Sequence, residues 1–409
     1  MSNPLTPTAQ EKFAAYLEKM AEKYCGKVGQ KFTATPSIEQ ILIDKIVEHG
    51  GWFMAFITLT MVEQLSGEKI LLSLSGATGS RTDTSTTGKR VAKNYVNLAN
   101  RGYSLVKFNN DFKILYDTMN AWAKFPDFAG RYQQMLMMSI ADSIIMSGWH
   151  GTHAAADTDI ATYPMMQDLS IGWLQLIRNF NSGSQHLGAT TVACAFTDTG
   201  DLVTVANHGH ANDDIVSFPT VVTTTGITAN VKLYVISATQ NTFQVSATKG
   251  GAAKALTTDG TGTVKSYITL GQEGFNNLDV IVTNAKNSIE PWLRNGLVAY
   301  ISDNLVAREE AKYYMATVER ADEKLLILQN GGQILQTYGG LRTYVPPYFP
   351  DNTIFIAPVG GLQFYSQTSS IRRQVVDWAE EDCVKDFNQR VAGHVIYNEE
   401  QCFLIEDIA

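Results

Sequence analysis

The sequence predicts an α+β fold: a long helix, an extended two-stranded arm ahead of it, mixed helices and strands after it, and a small inserted all-β domain. Three observations carry that expectation. From Trp122 the apolar residues Phe125, Phe128, Tyr132, Met135, Leu136, Met138, Ile140, Ile144, Ile145 and Met146 recur at mostly helical spacings, and Gly148 and Gly151 follow as a stop signal. Residues 186–266 lack Glu, Arg, Trp and Met, are dense in Thr, Val, Ala and Gly, and alternate short strand-like runs with turns. Residues 353–356, 362–365, 371–376, 394–397 and 402–405 then read as strand after strand.

The remaining elements follow from their own patterns. Thr8 with Glu11 makes a capping box, after which Phe13, Tyr16, Leu17, Met20 and Tyr24 share one helical face. Gly26-Lys-Val-Gly29 breaks that helix, and Pro36 opens a second one patterned by Ile38, Ile41, Leu42 and Ile46. Residues 67–75 alternate as a strand, with 103–108 as the expected return. The stretch between is rich in Ser, Thr and Gly, and Arg81, Lys89, Arg90 and Lys93 make it basic. So long a two-stranded arm is marginal in isolation and needs another surface, on its own chain or on a neighbour. An inter-subunit clasp would use those cations; a solvated polar loop is the plainer reading.

Within the β block, residues 202–206, 215–218, 232–236 and 242–246 read as strands, with turns at Lys249-Gly-Gly251 and Asp259-Gly260. That rhythm suits a small β-sandwich or barrel. Beyond it, 275–289 reads as a helix closed by Pro291-Trp292, 296–301 as a buried strand and 305–318 as a helix.

Composition bounds the function. Apolar residues make up 44% of the 409 and charged ones 18%, which describes a globular chain with room for more than one core. The longest apolar runs fall far short of the roughly 20 residues a membrane helix needs, and the first residues lack the basic and apolar regions of a secretory signal. Cys25, Cys194, Cys383 and Cys402 show no CxxC spacing and read as reduced thiols. A net charge of −8 opposes direct binding of nucleic acid by the whole surface. Ordinary solubility charge accounts for it as well, so this feature does not discriminate between functions.

Motifs for chemistry are missing. Thr87-Gly88-Lys89 lacks both the glycine five residues upstream and the Ser/Thr of a phosphate loop, and no GxSxG, HExxH or dinucleotide fingerprint occurs. His208-Gly-His210 with Asp213 and Asp214 is the best metal candidate, but it sits in a polar turn where such residues have local uses. His150 and His153 are expected to cap the long helix. No catalytic, cofactor or metal site is therefore expected.

Several motifs carry a family resemblance: Lys31-Phe-Thr33, Trp122-Ala-Lys-Phe-Pro-Asp-Phe128, Ile145-Met-Ser-Gly-Trp-His-Gly151, Pro164-Met-Met-Gln-Asp168, Gly172-Trp-Leu-Gln175, Arg178-Asn179, Val345-Pro-Pro-Tyr-Phe-Pro350, Arg372-Arg373 and Ile405-Glu-Asp407. Together they resemble the major capsid proteins of peduoviruses, the P-two-like tailed phages, over about 33–179 and 275–409. The resemblance implies the Hong Kong 97-like capsid fold, with a spine helix, an extended arm, and peripheral and axial domains. Its expected divisions are a helical leader at 1–32, an N-terminal arm at 33–66, an extended hairpin at 67–112 and a peripheral domain with the spine at 113–185. An inserted β-sandwich-like domain follows at 186–266, then an axial domain at 267–345 and C-terminal strands at 346–409 completing both domains. Removal of the leader is expected near Phe32 and Thr33. The implied role is a non-enzymatic shell subunit, located in the virion capsid and assembled in the bacterial host cytoplasm into pentamers and hexamers around double-stranded DNA, without sequence-specific binding. Scaffold, maturation protease and portal are the implied partners. A tail or adhesin-type binding protein using the β block is the alternative.

Overall fold

Two units divide the chain: Met1–Trp173 with Gly360–Asn398, and Leu174–Val359 with Glu399–Ala409. The structure, a computed structural model, describes residues 6–23, 32–33, 36–74, 96–122, 128–180, 184–270, 277–314 and 337–409, together with positions 81, 85 and 89.

In the first unit, helix α1 (Pro7–Lys23) and helix α2 (Pro36–His49) both open on proline, whose fixed φ suits a first turn. Thr8, expected to cap α1, therefore lies inside it, and the Gln10 N–H donates to the Thr6 carbonyl instead. Strand β1 (Phe32–Thr33) lies between these helices in sequence. On α2, Leu42, Ile43 and Ile46 are buried while Ile41 faces outward.

Strands β2 (Ile57–Val62), β3 (Ser66–Leu74), β4 (Val96–Ser104), β5 (Val106–Asn109) and β6 (Phe112–Leu115) follow. β3 and β4 pair antiparallel from Ser66↔Ser104 to Leu74↔Val96 and form a two-stranded sheet by themselves. The arm ends sooner than the expected 112. The return at 103–108 is not one strand: buried Leu105 interrupts it, its N–H bonded to the Leu65 carbonyl, and β5 and β6 join a larger sheet.

Helix α3 (Tyr116–Trp122) precedes helix α4 (Phe128–His150), 23 residues long. Leu136, Ile140, Ala141, Ile144, Ile145 and Trp149 of α4 are buried; Met135 and Met138 are not. Gly148, read as a stop signal, is inside this helix. Its lack of a side chain serves packing: a Cβ there would stand 2.2 Å from Cζ3 of Trp173. Gly151 and Gly172 extend the same close approach, with the Gly172 N–H donating to the Gly151 carbonyl at 3.0 Å. The loop 151–172 is stapled by the Gln167 carbonyl, which accepts the Thr152 N–H at 2.7 Å, and by buried Asp168, which accepts the Asp159 N–H at 2.7 Å.

Helix α5 (Trp173–Arg178) leads into the second unit, where β7 (His186–Leu187) precedes the β block. Strands β8 (Thr190–Thr197), β9 (Leu202–Thr204), β10 (Ile215–Val222), β11 (Leu233–Ile236), β12 (Thr242–Ser246) and β13 (Gly260–Ser266) form a closed barrel in the order β10-β11-β12-β9-β8-β13. It is one closed sheet rather than the two facing layers of a sandwich. Phe196, Phe218, Phe243, Val203, Val235 and Val264 fill its own core. Its first and last residues, Thr190 and Ser266, are register partners, so the block leaves and re-enters the unit at one place. Pro219 sits where the β10–β13 register shifts, a position that tolerates a missing N–H.

Beyond the barrel come α6 (Leu278–Ser288), β14 (Leu297–Ile301), α7 (Asp303–Tyr314), β15 (Thr337–Tyr338), β16 (Leu341–Tyr344) and β17 (Ile354–Pro358). The Asn277 side chain caps α6 by accepting the Val280 N–H at 2.9 Å. Gly339 and Gly340, both at positive φ, make the two-residue turn joining β15 to β16. The expected helix at 275–289 is α6; the expected 305–318 helix starts earlier, and residues 315–318 lie outside the described residues.

The chain then returns to the first unit as β18 (Leu362–Gln367), β19 (Arg372–Trp378) and β20 (Cys383–Ile396), and closes in the second unit with β21 (Phe403–Ile405). The first unit's seven-stranded sheet runs β1-β19-β20-β18-β2, with β5 and β6 also paired to β20. The second unit's six-stranded sheet runs β15-β16-β14-β17-β21-β7. β14 is its buried centre, and Leu278, Ile281, Val282 and Ala285 of α6 cover it.

Candidate assembly surfaces

The base of the arm is fixed by side chains that alternate along its strands. The Lys69 ammonium donates to the Ile396 carbonyl. Tyr103, opposite Gly67 in the register, lays its ring over that glycine, whose Cβ would stand 2.7 Å from the phenol oxygen, and meets Tyr365 edge-on at 5.2 Å. Gly393 of β20 allows the arm to leave close to the sheet, since a Cβ there would meet the Ser104 carbonyl at 3.1 Å. Of the four cations expected to clasp a neighbour, Arg81 and Lys89 are exposed, while Arg90 and Lys93 lie outside the described residues. Phe32 and Thr33, the expected processing step, form β1 at the edge of the seven-stranded sheet and pair with Arg373 and Arg372. Residues 24–31 before them lie outside the described residues.

The paired arginines of the sequence have separate fates. Arg372 is exposed, whereas Arg373 is buried and grips Asp386 with Nε at 3.0 Å and an NH2 nitrogen at 2.5 Å. Asn388 and Tyr132 complete the Asp386 environment, at 3.0 Å and 3.3 Å. Such a pair has no local sequence signal, because its members are joined only by the β19–β20 register. Arg390 lies two residues beyond Asn388 on the same strand, and burial pulls its guanidinium down to about 10.

His394 joins β20 to α4. Its Nε2 lies 2.9 Å from the Ile144 carbonyl, an acceptor only, so Nε2 carries the proton and Nδ1 accepts from the Ser170 hydroxyl at 3.0 Å. Trp173, Phe108 and Phe364 surround the ring, and burial pulls its pKa down to about 4. His153, expected to cap α4, instead meets the Thr152 hydroxyl at 2.9 Å and the Tyr163 ring; the Gly151 N–H closes the helix on the Ser147 carbonyl.

His208 and His210 stack at 5.0 Å, and both meet Phe243 edge-on. His210 Nε2 contacts the Ser266 hydroxyl at 3.2 Å. Burial and the neighbouring His210 lower the His208 pKa. The pair acts as aromatic packing on the barrel core, and among the described residues no group of three or more His, Cys, Asp or Glu is placed to hold a metal ion. Cys194, Cys383 and Cys402 are buried free thiols, and burial pushes Cys194 up to about 12, far from a reactive thiolate. No helix among the described residues is long and apolar enough to cross a membrane.

Comparison with known proteins fits a constructional role for these surfaces. The phage major capsid protein family of P2 type matches residues 12–221 and 244–408. The chain is 25% identical over 403 residues to the capsid proteins of Escherichia phage P2, covering 97% of this chain and 93% of that one. It is 22% identical over 408 residues to the major capsid protein of Serratia phage KSP20, with the same coverage of each chain. A solved satellite phage P4 procapsid, which includes a size determination protein, shares its fold with a TM-score of 0.64 at 23% identity, over 99% of this chain and 98% of that one. The likeness is wider than the quoted motifs suggested: it enters the barrel from both sides and leaves only residues 222–243 between the matched segments.

Proposed function

We propose, for a chain that belongs to the P2 family of phage major capsid proteins, that the β3–β4 arm of one subunit is what clasps the next in a closed icosahedral shell. The protein is a structural subunit of a tailed-phage capsid and assembles with copies of itself. The observation that carries the finer reading is the arm: nine residue pairs that, among the described residues, form a sheet of two strands held to the rest of the unit only near its base. A free hairpin of that kind is marginal, and a neighbouring subunit supplies the missing surface. Exposed Arg81 and Lys89, with Arg90 and Lys93, offer positive charge to copies whose net charge is −8.

In this reading the shell is built in the bacterial host cytoplasm from pentamers and hexamers, with a scaffold, a maturation protease and a portal, and it encloses double-stranded DNA without reading its sequence. The helical segment before Phe32 directs assembly and is removed: α1 ends at Lys23, β1 starts at Phe32, and the sequence between them carries Gly26 and Gly29, a break at which a protease can engage the chain. The barrel projects from the outer face, since it has its own core and its ends meet at Thr190 and Ser266. Changing Arg81, Lys89 and Arg90 together to Glu tests the clasp: the subunit should remain folded and soluble while shells vanish from negative-stain micrographs. Normal shells would remove charge from the account of the arm. Intact-mass measurement on mature particles reads the leader, which is absent if the subunit is about thirty residues short and retained if it is full length.

A further inference from the structure

We propose that a pocket in the first unit, between α2, α4 and the β19–β20 pair, receives a carboxylate side chain from a second copy of this chain, with Arg390 as its counter-charge. The inference rests on the shell-forming role above and names a contact distinct from the arm.

Two arginines line this pocket, and only one is neutralised. Arg373 has Asp386 in a two-point grip. Arg390 is as well hidden, with 7% of its surface exposed, yet among the described residues no carboxylate or carbonyl accepts a bond from its guanidinium. A buried cation without a partner is costly, and structures keep one where a ligand or another chain supplies the anion. The helices give the wall an apolar side, Leu42 and Ile46 from α2 and Met137 and Ile140 from α4, while Asn388 and Gln389 of β20 add polar groups beside the arginines. The pocket is a void of about 20 Å³, which admits the carboxylate tip of a Glu or Asp and not a whole side chain. Arg390 is largely withdrawn from solvent, so a charge pair formed with it is stronger than one on the open surface.

The subunit's own carboxylates beside the pocket are engaged elsewhere: Asp386 is held by Arg373, and Asp111 accepts the Asn388 N–H at 3.1 Å. Other copies are rich in carboxylates, with 40 acidic residues against 32 Lys and Arg. The Arg390 guanidinium stays cationic at neutral pH even after burial has pulled it down to about 10.

The test compares wild type with Arg390→Met and Arg390→Lys. Denaturant midpoints are read on unassembled subunits, and critical concentrations for shell formation by light scattering. Arg390→Met removes a lone buried cation, so its subunit midpoint should hold or rise, while its critical concentration rises by about tenfold or more; Arg390→Lys should assemble within about threefold of wild type. A lowered midpoint for Arg390→Met would mean that the guanidinium serves its own subunit's fold, and unchanged assembly would mean that no partner carboxylate enters; either overturns the proposal. So would acetate or inorganic phosphate raising the midpoint of wild type but not of Arg390→Met, since a free anion would then be the occupant. Tenfold weaker assembly of Arg390→Met alongside normal assembly of the arm's triple Glu variant would uphold the pocket and remove charge from the account of the arm. Wild-type subunits that form no shell at all would remove the shell-forming role and this proposal with it.

Discussion

Acid should loosen β20 from α4 through the single imidazole of His394. In the folded chain the ring is neutral, donating to the Ile144 carbonyl and accepting from Ser170, and burial holds its pKa near about 4 against an ordinary 6.5. The folded pKa is depressed, so the unfolded chain takes up the proton first. Stability from the neutral ring is complete above the unfolded pKa and is lost as the pH falls from 6.5 toward about 4. Each unit of separation corresponds to about 1.4 kcal/mol, so lowering the pH from about 7.5 to about 5 should remove about 2 kcal/mol. The full loss approaches about 3 kcal/mol near pH 4.

The control is His394→Gln, whose amide can donate to the Ile144 carbonyl and accept from Ser170 without titrating. Urea unfolding of unassembled subunits would be followed at several pH values by the emission of Trp149 and Trp173, which meet edge-on at 5.1 Å beside the imidazole. Other carboxylates and histidines contribute equally to both proteins, so the difference between the two pH profiles isolates His394. The variant should start less stable at neutral pH and lose about 2 kcal/mol less by pH 5. Parallel profiles across this range would refute the reasoning, because His394 would then bind a proton equally well folded and unfolded.

Gly148→Ala forces a methyl into the Trp173 ring, at 2.2 Å if nothing moves, and overpacking of this kind should cost about 1–3 kcal/mol. An unchanged calorimetric melting temperature would mean that the contact relaxes freely. Arg373→Ala leaves Asp386 charged and buried, for a loss of about 3–5 kcal/mol, whereas Arg373→Met with Asp386→Leu should recover most of it. Equal denaturant midpoints for the single and the double variant would show that the pair is not an isolated charge couple. Replacing residues 190–266 by a short Gly/Ser linker should leave a folded, soluble subunit, because Thr190 and Ser266 are already adjacent. Aggregation of the shortened chain on size-exclusion chromatography would make the barrel part of the second unit's core.

Where a segment's neighbours are near in sequence, its pattern was readable. α4 shows its apolar spacing, β14 its continuous run, and α2 its proline start, all set by local geometry. Gly148 misled because the same residue suits a helix end and a helix that must touch an indole, and only Trp173, 25 positions away, decides between them. β8 and β13 escaped notice for a different reason. In β13 the run Gly260-Thr-Gly-Thr263 has no apolar alternation, because Gly260 and Gly262 lie against the β10 backbone, with prospective Cβ distances of 2.3 Å to the Val222 carbonyl and 2.2 Å to the Thr220 carbonyl. The family likeness was visible in motifs that now have packing explanations: Gly148, Gly151 and Gly172-Trp173 form one contact. The candidate sites were least legible. Arg373, Asp386, Arg390 and His394 look like ordinary polar residues of β strands until register places all of them against the helices.

Closure of the barrel bears on how the protein tolerates being crowded. A shell holds each subunit beside identical copies at very high local concentration, conditions under which an open sheet edge would recruit strands from its neighbours. Because β10 pairs with both β11 and β13, the ring of six strands has no free edge. No strand of another chain can therefore extend this sheet, and contacts to its wall fall to side chains such as the exposed Val192, Val222 and Val231. The outer residues of this domain are thereby open to rapid sequence drift, with no risk of knitting one subunit's backbone into the next.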